Sequence, residues 1–202
     1  MDLSEFIKDI YHDLPFLPRD LPPWEIINNL EKTIKHLLSN LETTNYKIVN
    51  QVAIHETALV ENGVTIKPNT IIGPRCTIKA GSYLRNGVYL VSDVVIGANC
   101  EIKQSILFKN SRAAHLNYIG NSLIGEDVNL EAGSILANHF NEREDKTIRI
   151  FLEDKIVETN AIKFGSLIGD HSRIGANSVL NPGTILYVKS VVPRLTHVDQ
   201  LG

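Results

Sequence analysis

The chain has 202 residues, 43% of them hydrophobic and 21% charged, with a formal net charge of −3, which fits one large domain or one domain with a small appendage. That balance offers no global field for nucleic acid or an anionic membrane surface, and no run of about 18 apolar residues is present to span a bilayer. The start, Met1-Asp2-Leu3-Ser4-Glu5, lacks the basic-then-apolar order of a secretory signal, and Cys76 and Cys100 lack metal-type spacing, so a reduced, cytoplasmic protein is the expectation.

The first elements are helical. Leu3, Phe6, Ile7, Ile10, Tyr11 and Leu14 fall on one face of a short helix. Four prolines between Pro15 and Pro23 break it. A second helix is predicted from about Trp24 to Leu41, with Ile27, Leu30, Ile34, Leu37 and Leu41 on one side. Residues 1–42 are therefore expected to form a helical cap or an oligomer contact, because open solenoids need covered ends.

From Ile54 the pattern changes. An aliphatic residue recurs every six positions, at Ile54, Val60, Ile66, Ile72, Ile78, Leu84, Leu90, Ile96 and Ile102. Two residues before each stands a small or β-branched one: Val52, Ala58, Val64, Thr70, Cys76, Ser82, Val88, Val94 and Cys100. A period of six fits neither a helix at 3.6 nor a long strand at 2. It fits a short strand, a turn and a return, so that three units close a triangular coil of 18 residues. Coils then stack at the strand spacing of about 4.8 Å, and each buries its aliphatic residue against its neighbours. Gly63, Gly73, Gly81, Gly87, Gly97 and Asn69 are expected to supply turn conformations. Both cysteines take the small interior position and read as inert packing.

Residues one place after the interior aliphatic point outward. Three of them, Lys67, Arg85 and Lys103, are spaced by 18, one coil apart, and should stack as a ladder of like charge. Such a ladder repels itself by about a kcal/mol per contact at a wet surface. A phosphate or neighbouring carboxylates would relieve it; side chains splayed into water are the plainer reading. The period slips by two near Ala113–Tyr118 and resumes at Ile124, Leu130 and Leu136. A second interruption, at about 139–164, carries alternating Thr147–Phe151 and Lys155–Val157 and reads as a hairpin leaving the coil. The repeat returns at Ile162, Ile168, Ile174, Leu180, Leu186 and Val192, giving a β-helical domain over 50–194.

One motif is more specific than the repeat. Arg112-Ala-Ala-His115-Leu-Asn-Tyr118-Ile-Gly-Asn121 precedes Ile124-Gly-Glu-Asp-Val-Asn129-Leu-Glu-Ala132-Gly-Ser134, with Asn138 beyond. This segment resembles the acetyltransferase domain of bifunctional N-acetylglucosamine-1-phosphate uridylyltransferase/glucosamine-1-phosphate acetyltransferase. The resemblance implies an all-β, left-handed parallel β-helix that forms homotrimers and takes acetyl-CoA and a sugar phosphate. It matches His115 to the general base, Arg85 and Lys103 to the phosphate side, and Tyr118 and Asn129 to sugar contacts. Ala132 matches the N–H that faces the thioester oxygen, and Asn138 an asparagine beside the reacting groups. A neutral histidine suits removal of a proton from a sugar ammonium before attack on the thioester.

Departures from the family lie on both sides of the reaction. A phosphate-side lysine aligns with Glu144, leaving Arg143 or Lys146 as substitutes. A donor-side serine aligns with Ala176, which together with Ser166 is the expected coenzyme contact. No nucleotidyltransferase segment precedes the repeat, so uridylyl transfer is expected to be absent. Two further readings stand beside the acyltransferase. One is a non-catalytic β-helix that binds a sugar phosphate or nucleotide sugar and has lost donor binding. The other, a metal enzyme built from His115, His139 and His171, lacks the expected spacing, and no metal site is expected.

Overall fold

The computed structural model describes residues 1–41 and 43–201. From Val52 the chain winds into a left-handed parallel β-helix with three sides, each seven strands deep. The interior aliphatic residues stack in register, one column to a side. On the first side they are Ile54, Ile72, Leu90, Leu107, Ile124, Ile168 and Leu186. On the second they are Val60, Ile78, Ile96, Ala113, Leu130, Ile174 and Val192. On the third they are Ile66, Leu84, Ile102, Ile119, Leu136, Leu180 and Val198. With both cysteines they form one core, and each fully buried Ile or Leu contributes about 1.5–3 kcal/mol of transfer free energy.

The repeat departs from its expected course in several places. The slip of two is not made near Ala113–Tyr118. It is two separate losses of one residue, each at the corner between the third and first sides. Where one rung turns through Asn86 and Gly87, the next turns through Gln104 alone, so that Arg85 pairs with Lys103 but Val88 with Ser105. The following rung keeps that length and turns through Asn121. Ile162 is not an interior residue; it is 59% exposed, because the chain rejoins the coil only at Ser166–Ile168. The helix also runs past 194, through His197–Val198. Gly73 and Gly97 do not serve turns. A Cβ there would sit 1.6 Å from the Val91 carbonyl oxygen and 1.3 Å from that of Ala114, so they are glycines because the next rung lies directly against them.

The helical segment lies along the first side of its own prism. Its first part is a 3₁₀ turn, Leu3–Glu5, and a short helix α1, Ile10–Asp13, in place of one continuous helix. The second helix, α2, runs Pro23–Asn40, with Pro23 at its first turn, where no amide partner is lost. Its apolar face meets the outward residues of the first side, Ile71, Ile106, Leu123, Leu167 and Ile185, in a second core. Buried Asp170 clips the segment in place by accepting the Lys8 and Glu126 amides at 2.9 and 2.7 Å, while its own N–H donates to the Phe6 carbonyl. The boundary expected at residue 42 falls outside the described residues. An antiparallel strand, Tyr46–Val49, covers the exposed edge of the first rung. The hairpin pairs Arg149–Leu152 with Lys155–Glu158 and buries Ile148 and Ile150 with Phe140, Phe164 and Trp24 in the same outer core.

Candidate active site on the third side

Strand alternation sends two columns of side chains outward from the third side. Tyr83, Glu101 and Tyr118 lie opposite one another on successive rungs, and beside them Arg85, Lys103 and Gly120 do the same. The expected cationic ladder thus exists, but it is not bare. Glu101 Oε1 accepts from Arg85 Nε at 2.7 Å and lies 2.6 Å from Nη2 in the same ion pair. Lys67 and Arg85 both lie 5.8 Å from the Tyr83 ring centre. Lys103 makes no ion pair among the described residues. Burial holds its ammonium below the usual lysine range, Lys163 and Arg85 push the same way, and Glu101 opposes them. Tyr118 is pushed up, first by burial and then by Glu101. Its ring lies across Gly120, where a Cβ would come within 2.7 Å of the Tyr118 hydroxyl.

Lys163 was not anticipated. It stands at the exit of the hairpin insertion, and a chain of backbone bonds brings it to the ladder: Asn121 donates to Lys103 O, Gly165 to Asn121 O and Phe164 to Asn138 O. The signal was present in the sequence. An insertion that interrupts a rung must return where it left, so the residues just before Gly165 had to sit at the ladder's edge. Arg143 and Lys146, the expected substitutes, are not brought to the ladder by any contact. Arg143 stacks 3.4 Å over the Phe140 ring, and Lys146 is exposed in the loop beside Glu144.

His115 sits exposed at the corner between the second and third sides. Its carbonyl accepts the Gly133 amide at 2.9 Å, so Ala132-Gly133 is the next rung of that corner and Ala176-Asn177 the one after. Leu116, the turn residue, is held at φ 55° with its side chain 61% exposed. Asn138 lies at the other end of the same side, 4% exposed, donating to Asn121 Oδ1 at 2.6 Å. One protomer therefore does not bring His115 and Asn138 together. His139 follows Asn138, and His171 is at the third corner against Asp127, so the three histidines do not converge.

The donor-side expectations fare differently. Ser166 is fully buried, its Oγ unpartnered inside the coil wall and its N–H given to Ser122 Oγ. No coenzyme reaches it without opening the coil, so its assignment as a coenzyme contact is corrected. Ala176 is at the surface, but its N–H donates to Glu131 Oε2 at 3.0 Å. The same carboxylate takes Arg194 at 2.7 and 2.8 Å. Arg194 first, then the Ala176 amide, hold Glu131 down to about 2. Asn129 faces outward on the second side, opposite Arg173. With Glu131, Arg173, Gly175 and Arg194 it lines a 370 Å³ groove.

A parallel prism of six-residue units with a cationic face and an exposed corner histidine defines a hexapeptide-repeat β-helix. The profile of the GMPPB C-terminal domain matches residues 48–149, and one described as a hexapeptide repeat of succinyl-transferase matches 167–192. The chain belongs to the family of the GMPPB C-terminal domain. It is 36% identical over 80% of its length to a bifunctional sugar-1-phosphate nucleotidylyltransferase/acetyltransferase of Sulfurisphaera tokodaii, covering 41% of that protein. It is 31% identical over 99% of its length to the bifunctional protein GlmU of Methanococcus maripaludis, covering 46%. It thus spans less than half the length of these relatives. A solved mutant of AntD, an N-acyltransferase from Bacillus cereus in complex with dTDP and coenzyme A, superposes with a TM-score of 0.39 at 16% identity over 65% of this chain and 71% of that one, too loosely to bear on function.

Proposed function

We propose that the chain is an N-acyltransferase that moves an acyl group, acetyl in the simplest case, from coenzyme A to the amine of a hexosamine 1-phosphate. The observation that carries this reading is Lys103. It is a half-buried ammonium, without an ion-pair partner among the described residues and crowded by Arg85 and Lys163, and it sits on the side that begins at the His115 corner. Crowded cations of this kind are relieved by a phosphoryl oxygen. Tyr118 of one chain and Asn129 of the next, on the second side beyond its His115 corner, bind the sugar, Lys67 lends further positive charge, and His115 takes the ammonium proton. The Ala132 N–H stabilises the oxyanion. Because His115 and Asn138 lie at opposite ends of one side, the complete site forms between neighbouring protomers of a homotrimer. There Asn138 comes from one chain and His115 from the next. That arrangement also accounts for a candidate site that is an open face on the single chain.

The deciding experiment is thiol release from acetyl-CoA against a panel of amino-sugar 1-phosphates. Turnover that requires one of the sugars supports the reading; no release with any of them overturns it. A second reading is favoured by one observation, that Glu131 already occupies the Ala176 amide. On that reading the chain binds a sugar phosphate and has lost its donor. Calorimetry with acetyl-CoA separates the two, since only the first requires the donor to bind.

A further inference from the structure

The helix α2 runs beside the corner between the third and first sides, the corner that follows each cation of the ladder. It meets that corner rung by rung. Glu31 Oε1 accepts from Asn69 Nδ2 at 3.0 Å, two residues after Lys67. The Glu31 backbone lies on Gly87, two residues after Arg85, where a Cβ would stand 3.0 Å from the Glu31 Cα. The Ile27 carbonyl accepts from Gln104 Nε2 at 2.8 Å, one residue after Lys103. Trp24 meets the Phe164 ring edge-on, 6.1 Å between centres, one residue after Lys163. A helix climbs about 5.4 Å a turn and the rungs about 4.8 Å, so positions 24, 27 and 31 keep step with the coil. Lys67, Lys103 and Lys163 make no ion pair among the described residues, and Lys163 and Lys103 repel each other. Lys67, Arg85 and Lys103 take their spacing from the stacked rungs. Lys163 does not, because the chain rejoins the stack only at Ser166–Ile168. The side chain next to it, Phe164, is fully buried against Trp24.

We propose that α2 is a splint for the cationic face and that Trp24 is a positioning residue. Through Phe164, Trp24 holds Lys163 at a fixed distance from Lys103, whose own corner the next turn of the same helix grips through Ile27. This rests on the anion seat of the reading above and not on acyl transfer. The helical segment then does more than cover the apolar first side: its first turn keeps two mutually repelling ammonium groups close enough to share one anion.

The test is calorimetry on the full chain with inorganic phosphate as probe, at a temperature where thermal melts show each variant folded. Trp24→Ala should weaken phosphate binding by about tenfold, the loss of one charge-assisted contact. Trp24→Phe keeps an aromatic edge against Phe164 and should stay within about twofold of the unaltered chain. Lys163→Ala should cost about the same tenfold, and adding Trp24→Ala to it should cost nothing more, because Trp24 acts through Lys163. Adding Trp24→Ala to Lys67→Ala should still cost about tenfold, since Lys67 is two rungs from Lys103. Gln104→Ala removes one hydrogen bond and carries the same cycle where Trp24→Ala does not fold: a loss with Lys163 present and none without it. Additive losses in these cycles with Lys163, or no loss on Trp24→Ala, would mean that α2 only covers the first side; they overturn the proposal and leave the seat standing. If the unaltered chain binds no phosphate, or if Lys103→Ala leaves phosphate binding unchanged, the seat itself is absent and the reading above fails together with this one.

Discussion

Gly120→Ala is the substitution that separates the site from the scaffold. The glycine does not have positive φ, so an alanine backbone is acceptable there. The obstacle is Tyr118. The new Cβ would lie 2.7, 2.8 and 2.9 Å from its Oη, Cε1 and Cζ, and ordinary contact begins near 3.4 Å. The ring must therefore retreat by about 0.6 Å or more, or leave its rotamer, at about 0.5–1.5 kcal/mol. Loss of glycine's freedom in the unfolded chain returns about 0.4–1 kcal/mol. The two nearly cancel, and the midpoint of thermal unfolding should move by less than about 4 °C. Function should respond more strongly, because a displacement on the order of 1 Å of a positioning group costs up to about a hundredfold in rate. Thiol release with acetyl-CoA and a hexosamine 1-phosphate should show kcat/KM down by about ten- to a hundredfold. A variant with unchanged kinetics would refute the placement of Tyr118 in the acceptor site. Gly97→Ala makes the contrast: its Cβ meets backbone 1.3 Å away, and it should cost stability by several kcal/mol whatever the activity.

His115→Ala should lower turnover by about 10²–10⁴-fold with the melting midpoint barely moved, since its exposed ring makes no hydrogen bond among the described residues; near-full activity would remove the histidine from the mechanism. Asp170→Ala leaves the Lys8 and Glu126 amides without their acceptor and should destabilise by about 2–3 kcal/mol, with faster amide exchange in residues 3–14 as the local readout. Burial pushes the Cys76 thiol up from 9.0 to about 11. The unfolded chain therefore releases this proton first, so the contribution is intact below pH 9 and is lost as pH rises to about 11, by about 3 kcal/mol in all. Cys76→Ala should flatten that part of a denaturant-midpoint profile, and an unchanged slope would show that the thiol is not its source.

The β-helix was legible because its signal is redundant. Two linked positions repeat through every rung, so the loss of a residue here or there leaves the pattern visible. The ladder was legible for the same reason: a spacing of 18 places Lys67, Arg85 and Lys103 on one side regardless of what surrounds them. Glu101's hold on Arg85 was not, because a diagonal across two strands depends on rotamers that no period encodes. The helical segment's length was readable from its apolar stripe and prolines. Its position was not, because the outward residues of the first side, Ile71, Ile106 and Leu167, are as aliphatic as the interior ones. An aliphatic residue facing outward registers in the sequence only as a strand that is apolar on both faces.

The breaks in the period fall together in space. The corner between the third and first sides takes two residues in the regular rungs, at 68–69, 86–87 and 182–183, but one at Gln104 and one at Asn121, and at Asn138 the insertion leaves. These three irregular corners are consecutive, and all lie at the edge where Lys103 and Gly120 face outward. Each has its own use. Gln104, freed from a two-residue turn, donates to the Ile27 carbonyl at 2.8 Å and so ties α2 to the rung that carries Lys103. Asn121 receives the Asn138 amide and closes the neck of the insertion. The insertion then returns through Lys163. A strictly periodic coil would have presented a plain cationic stripe there; shortening two corners and opening a third backs part of it with a buried amide pair and braces it with a helix, as the proposed anion seat requires. The breaks in the six-residue period fall at this edge, which is where local regularity would be given up if the proposed site lies there.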